Sequence, residues 1–141
     1  MIDRTTDAQV PVASLGSARE RRRALLRAVA DELAEARSAR AHRDLPDEWR
    51  HLERAHVLSQ PMALPHVRTH LAMLAYGVRR RDVHEIAGQV LRLVVAAPGS
   101  WTGRYPAGNT GGADVSALAP MPIPDDLLTI LEATSSRKDE S

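Results

Sequence analysis

Apolar residues recur at helical spacing through most of the chain, and polar or glycine- and proline-rich breaks divide the pattern into four long helices and a short one. The first predicted helix opens at Ser17, which forms a capping-box pattern with Glu20, and runs to about His42. Ala18, Leu25, Leu26, Val29, Leu33 and Ala36 supply its core stripe, with Asp31, Glu35 and Arg37 facing outward. A second helix starts around Pro46, where a proline forfeits no helical hydrogen bond and Asp47 and Glu48 suit the positive helix end. The segment SQPMALP, residues 59–65, should form the turn into a third helix from about His66 to Arg79. Val67, Leu71, Leu74 and Val78 form its main apolar stripe, with His66, His70, Met73 and Gly77 in a second stripe beside it. Asp82 caps a fourth helix that reaches Ala97 and turns Val83, Ile86, Val90, Leu93 and Ala97 to the core. Residues 98–124 are rich in Gly and Pro, and Trp101, Tyr105, Met121 and Ile123 should pack that loop on the body. A last helix, Asp125 to Ala133, closes the chain.

The fold expected is therefore all-α: a compact antiparallel four-helix bundle of helical hairpins, with a long ordered Gly/Pro-rich loop and a short C-terminal helix. At 141 residues the chain suits one domain, 17–133, and the polar ends 1–16 and 134–141 are expected to be flexible tails. No run resembles a signal peptide or a membrane span, since the longest apolar stretch, Val90 to Ala97, is short and carries Arg92. A cytoplasmic protein is the expectation.

The absence of cysteine excludes disulfides, thiolate nucleophiles, iron–sulfur clusters and Cys-type zinc sites, so any metal must bind through nitrogen and oxygen. With no phenylalanine, the core must be filled by aliphatic side chains, which favours closely packed helices. Net charge is +1 and the arginines are interleaved with acids, which argues against a nucleic-acid partner; the run RERRRALLR, 19–27, reads as a solvated helix face.

One helix departs from simple patterning. Trp49, Leu52, Glu53, His56 and Gln60 fall on one stripe of the second helix, so two ionisable groups lie where burial is expected. Buried ionisable groups are costly unless paired or metal-bound. Across the proline-bracketed turn, His66 and His70 share a face of the next helix and can converge on Glu53 and His56. Carboxylate and imidazole donors suit zinc, iron, nickel, copper or manganese. A Glu-x-x-His on a bundle helix is also one ingredient of di-iron centres, although no second copy is present; Glu32 and Glu85 are the additional carboxylates within reach. The competing reading has Glu53 paired with His56 or a buried arginine, and His70 as a satisfied interior histidine. His42, His51 and His84 read as surface groups. The loop string Gly108-Asn109-Thr110-Gly111-Gly112 lacks the lysine and strand-before-helix setting of a phosphate loop.

From Trp49 onward the strings LERAHVLSQP, HVRTHLAML, RDVHEIAGQVLR, GRYPAGNTGGADVS and PMPIPDDLLTIL resemble the bacterial family known as domain of unknown function 3703. That resemblance implies a shared small helical fold, and the family name carries no activity with it. Residues 52–98 also resemble a tetratricopeptide helix pair, with too few repeats for a solenoid. Three functions follow as expectations. The first is a divalent transition-metal binder for handling, sensing or catalysis through Glu53, His56, His66 and His70. The second is a small metal-dependent, di-iron-like enzyme with 98–124 as a lid and Tyr105, Asn109 and Thr110 meeting a small-molecule substrate. The third is a tetratricopeptide-like module that binds a protein partner without chemistry.

Overall fold

The computed structural model describes residues 16–102, 106–117 and 119–135, and for 95–101 the helical backbone alone. These residues form five helices in the order α1 (Ala18–Ala41), α2 (Leu45–Ser59), α3 (Ala63–Arg80), α4 (Val83–Thr102) and α5 (Asp125–Thr134), with no strand among them. Of the expected tails 1–16 and 134–141, residues 1–15 and 136–141 lie outside the described residues, as do Tyr105 and the Trp101 side chain, while Thr134 ends α5. None of the described helices is long and apolar enough to cross a membrane.

The start of α1 matches its sequence signal. Ser17 accepts from the Glu20 backbone N–H while the Glu20 carboxylate accepts from the Ser17 N–H, and Leu25, Val29, Ala36 and Ala39 are buried. Helix α2 is capped by Asp44, with Pro46 in its first turn. α3 begins three residues earlier than expected, at Ala63, because Pro65 fits within a first turn, where its missing N–H has no helical partner in any case. It ends at Arg81 in the left-handed region (φ 58°). α4 continues beyond Ala97, through Pro98, to Thr102. One proline removes one helical hydrogen bond and here does not end the helix.

α1 packs chiefly on α2, α3 on α4, and the two pairs meet mainly through α2 and α3. One apolar cluster joins Leu25 and Val29 of α1, Val57 and Leu58 of α2, Met62, and Leu127 of α5. A second joins Ala36, Leu52 and Met73, flanked by Trp49 and Tyr76, whose rings lie 4.9 Å apart.

The orientation of α3 and α4 corrects the sequence reading. The stripe expected in the core has Leu71 and Val78 exposed and Val67 and Leu74 half-buried, whereas His66, Thr69, His70, Met73 and Gly77 are buried. On α4, Val83 and Val90 are exposed while Glu85, Gln89 and Arg92 are buried. Both helices turn their more polar side inward. The reason is what they enclose: the inward groups bond to one another, to His56 and to the backbone of residues 106–117.

Candidate metal centre

His56 lies in the last turn of α2 and His66 in the first turn of α3, so the tight corner at residues 60–62 brings them face to face. His70, one turn after His66, completes the group. The His66 and His70 Nε2 atoms lie 2.8 and 3.2 Å from His56 Nε2, and all three rings have centroids within 4.8 Å of one another. All three residues are buried, and together they form a group able to hold a metal ion.

The outer contacts determine which nitrogen of each ring faces inward. His56 Nδ1 lies 2.8 Å from the carbonyl oxygen of Asn109, which can only accept, so Nδ1 carries the proton and Nε2 presents a lone pair. His70 Nδ1 lies 2.7 Å from Gln89 Oε1. The orientation of that amide is fixed because its Nε2 donates to the Glu85 carboxylate (2.5 Å) and to the Gly111 carbonyl (2.8 Å), two groups that only accept. His70 Nε2 is therefore also a lone pair. A proton on His66 Nε2 can satisfy one of the two facing acceptors. A cation satisfies all three nitrogens at once. Three imidazole nitrogens at about 2.0–2.1 Å from a tetrahedral ion stand about 3.3 Å apart, close to the 2.8 and 3.2 Å that separate His56 Nε2 from its two neighbours.

The electrostatics agree. Burial holds His56 well below the ordinary imidazole range, reinforced by the neighbouring His70 and His66. Burial, then His70, brings His66 down to about 4. Burial lowers His70 to about 4 against the opposing Gln89 bond, with the buried Arg92 guanidinium adding to the shift. The trio is neutral at pH 7, the form in which imidazole ligates metal.

The loop is fastened over this cluster by buried amides. Gln60 donates to the Pro106 carbonyl and accepts from the Gly108 N–H. Asn109 donates to the carbonyls of Ser116 and Ala119 and accepts from the Gly111 N–H. Arg92 donates to the Val115 carbonyl. Gly111 sits at φ 83°, and a Cβ there would lie 2.7 Å from the His56 ring, so glycine is required both for the backbone and for contact with the imidazole. Gly77 likewise admits Glu85 and Ile86 of α4 at 3.3–3.4 Å from where a Cβ would stand.

The other sequence-predicted residues fall outside the histidine group. Glu53 is half-buried, and its carboxyl is raised by burial, against the pull of the neighbouring Thr110 and Trp49 side chains. It lines a cavity of about 270 Å³ with Thr110, Arg50, Arg54 and Leu127. Glu32 accepts from Arg54 (2.8 Å) and lies 2.6 Å from His51 Nδ1, tying α1 to α2, so His51 is half-buried rather than a surface group. Glu85 accepts from Gln89 and from the Ala113 N–H (3.0 Å) and acts on His70 through the amide. The Asn109 side chain is fully engaged within the loop, and only its backbone carbonyl meets the cluster. His42 caps the end of α1 through the Ser38 carbonyl, and the exposed His84 pairs with Asp114. Sequence reasoning missed Gln60, Gln89 and Arg92 as parts of the site. The available signal was polar residues at core spacing, with Gln89 and Arg92 four and seven residues after Glu85.

Fold and site together define an all-helical protein with a buried three-histidine cluster. A family model described as a protein of unknown function, DUF3703, matches residues 23–131, and the chain belongs to that family. Neither a curated protein nor a solved structure matches the chain.

Proposed function

We propose that this protein binds one divalent transition metal through the Nε2 atoms of His56, His66 and His70, and that its role is metal handling or sensing. The observation that carries the proposal is the pair of buried lone pairs, His56 Nε2 and His70 Nε2, held 3.2 Å apart by Nδ1–H bonds to the Asn109 carbonyl and Gln89. Without a cation, a proton on His66 Nε2 satisfies one of these two acceptors and leaves the other facing a lone pair, a costly state inside a protein. Outer bonds of this kind, from the far ring nitrogen to a carbonyl or amide, are what orient ligating histidines.

Three imidazoles suit zinc, copper, nickel or iron, and they leave a fourth coordination position on a tetrahedral ion. Glu53, also expected among the ligands, stands apart from the trio, and on this reading it serves the cavity it lines rather than the ion. Handling or sensing is favoured over catalysis because the histidines are buried beneath a loop whose fastenings are themselves buried.

Cobalt(II) titration of chelator-treated protein tests the site. Visible bands of a low-coordinate cobalt centre, saturating near one equivalent and absent in His70→Ala, are the expected result. Only the weak absorption of hydrated cobalt throughout the titration would overturn the proposal.

A further inference from the structure

The apolar stripes that α3 and α4 fail to bury have a regular spacing. On α3, Leu64, Leu71 and Val78 stand seven residues apart, with Val67 and Leu74 between them; on α4, Val83 and Val90 stand seven apart, with Ile86 and Leu93 three residues after each. These are the a and d positions of a heptad repeat, one per helix. The structure treats the two sets differently. Every d residue is half-buried, whereas every a residue named is exposed, from 49% at Leu71 to 76% at Val83.

The chain turns back between the helices at Arg81 and Asp82, with Gly77 against Glu85 and Ile86, and His70 against Gln89. The two exposed stripes consequently belong to one face of one helix pair. Their opposite face covers the histidine cluster; among the described residues nothing covers this one. Leu91 and Val94 of α4 extend it, at 61% and 72% exposed.

We infer that this face is the interface with a second copy of the same chain, the two α3–α4 pairs closing into a four-helix layer. The spacing is one argument, since a seven-residue repeat is the spacing at which helices pack side chain into side chain. Area is another. The seven exposed side chains amount to roughly 700 Å², against roughly 800 Å² per partner in a stable interface and a few hundred in the patches that monomers leave bare. A third is composition: among the described side chains the face is built from branched aliphatic residues with no aromatic, whereas surfaces that settle on membranes carry Trp or Phe. A two-fold interface needs only one such face, because the same patch serves both partners.

The proposal does not depend on metal binding. Sedimentation equilibrium of the full chain, from sub-micromolar to tens of micromolar, should report twice the 15.4 kDa chain mass at the upper end. The double variant Leu71→Glu/Val90→Glu should sediment as a single chain while keeping its helical circular dichroism. A wild-type chain that stays single throughout overturns the inference, whether or not it floats with phospholipid vesicles. So does a two-copy mass that survives in the double variant. Should that variant lose its helix content, the milder Leu91→Gln/Val94→Gln pair takes its place, with dissociation shifted to higher concentration as the supporting result and unchanged dissociation as the contrary one.

Discussion

The α1–α2 and α3–α4 pairs use similar sequence material in opposite ways. In the first pair the apolar stripe is the core: Leu25, Val29, Leu52, Val57 and Leu58 are buried, and charge is held towards the rim by Glu32, His51 and Arg54. In the second, the heptad of Leu and Val faces outward while His66, His70, Glu85, Gln89 and Arg92 fill the inside. A helix satisfies its apolar stripe against whatever partner buries it best, and that partner need not be the body of its own domain. Where a polar network must be enclosed, the inward face goes to the groups that complete it.

This contrast can be broken at several points. The largest effect should come from truncating the packed pair. Leu58 is fully buried, so Leu58→Ala should cost about 2–5 kcal/mol of stability. Leu91→Ala on the outward face should cost the fold of a single copy about 0.5 kcal/mol or less. Urea unfolding of both variants at low protein concentration checks the difference, and equal losses would mean that the outward face is core after all.

Acid should act on the second pair first. His66 and His70 stand at about 4 in the fold, against 6.5 for an unperturbed imidazole. Between those values the unfolded chain binds protons that the folded chain does not, so stability rises with pH across the window. In metal-free protein it is fully present above about 6.5 and falls, by an amount on the order of a few kcal/mol, as the pH drops towards 4. On the α1–α2 side, Asp126 is held low by the Arg54 hydrogen bond, and what it contributes is lost only at lower pH. Thermal melts of His70→Gln should lose part of the dependence between pH 4 and 6.5, and an unchanged profile would remove His70 from the account.

A finer test separates the ring positions from the ligands themselves. Gln89→Leu removes the acceptor of His70 Nδ1–H and strands the Gly111 carbonyl, while leaving all three Nε2 atoms present. Metal affinity should fall by about 10–100-fold, the usual effect of losing an outer-shell partner, as read in a competition titration against a chelating dye. The smallest effect belongs to the rim of the first pair. Arg54→Ala breaks the bonds to Glu32 and Asp126, and it should cost no more than about 1 kcal/mol and leave metal uptake unaltered.

The helices themselves were legible because their punctuation is local: the Ser17–Glu20 box, Pro46 with its acids, Asp82, and Asp125 each act within one turn. His56, His66 and His70 were legible as a group because helical periodicity and one short corner suffice to bring them together. The orientation of α3 and α4 was not, since periodicity identifies a stripe without saying which neighbour covers it. Glu53 shares a stripe with His56, but its carboxyl lies beside the Thr110 and Trp49 side chains and is not part of the histidine group. The roles of Gln89 and the Asn109 carbonyl depend on contacts 19 and 53 residues apart in the chain, which no local pattern encodes.

The most direct measurement is elemental analysis of tag-free protein, purified without added metal or chelator, beside His56→Ala and His70→Ala. The account predicts close to one transition-metal ion per chain in the wild type and its loss in both variants, with helix content retained. A wild-type chain that carries none, and takes up none when offered zinc, copper, nickel, iron or manganese, would contradict it.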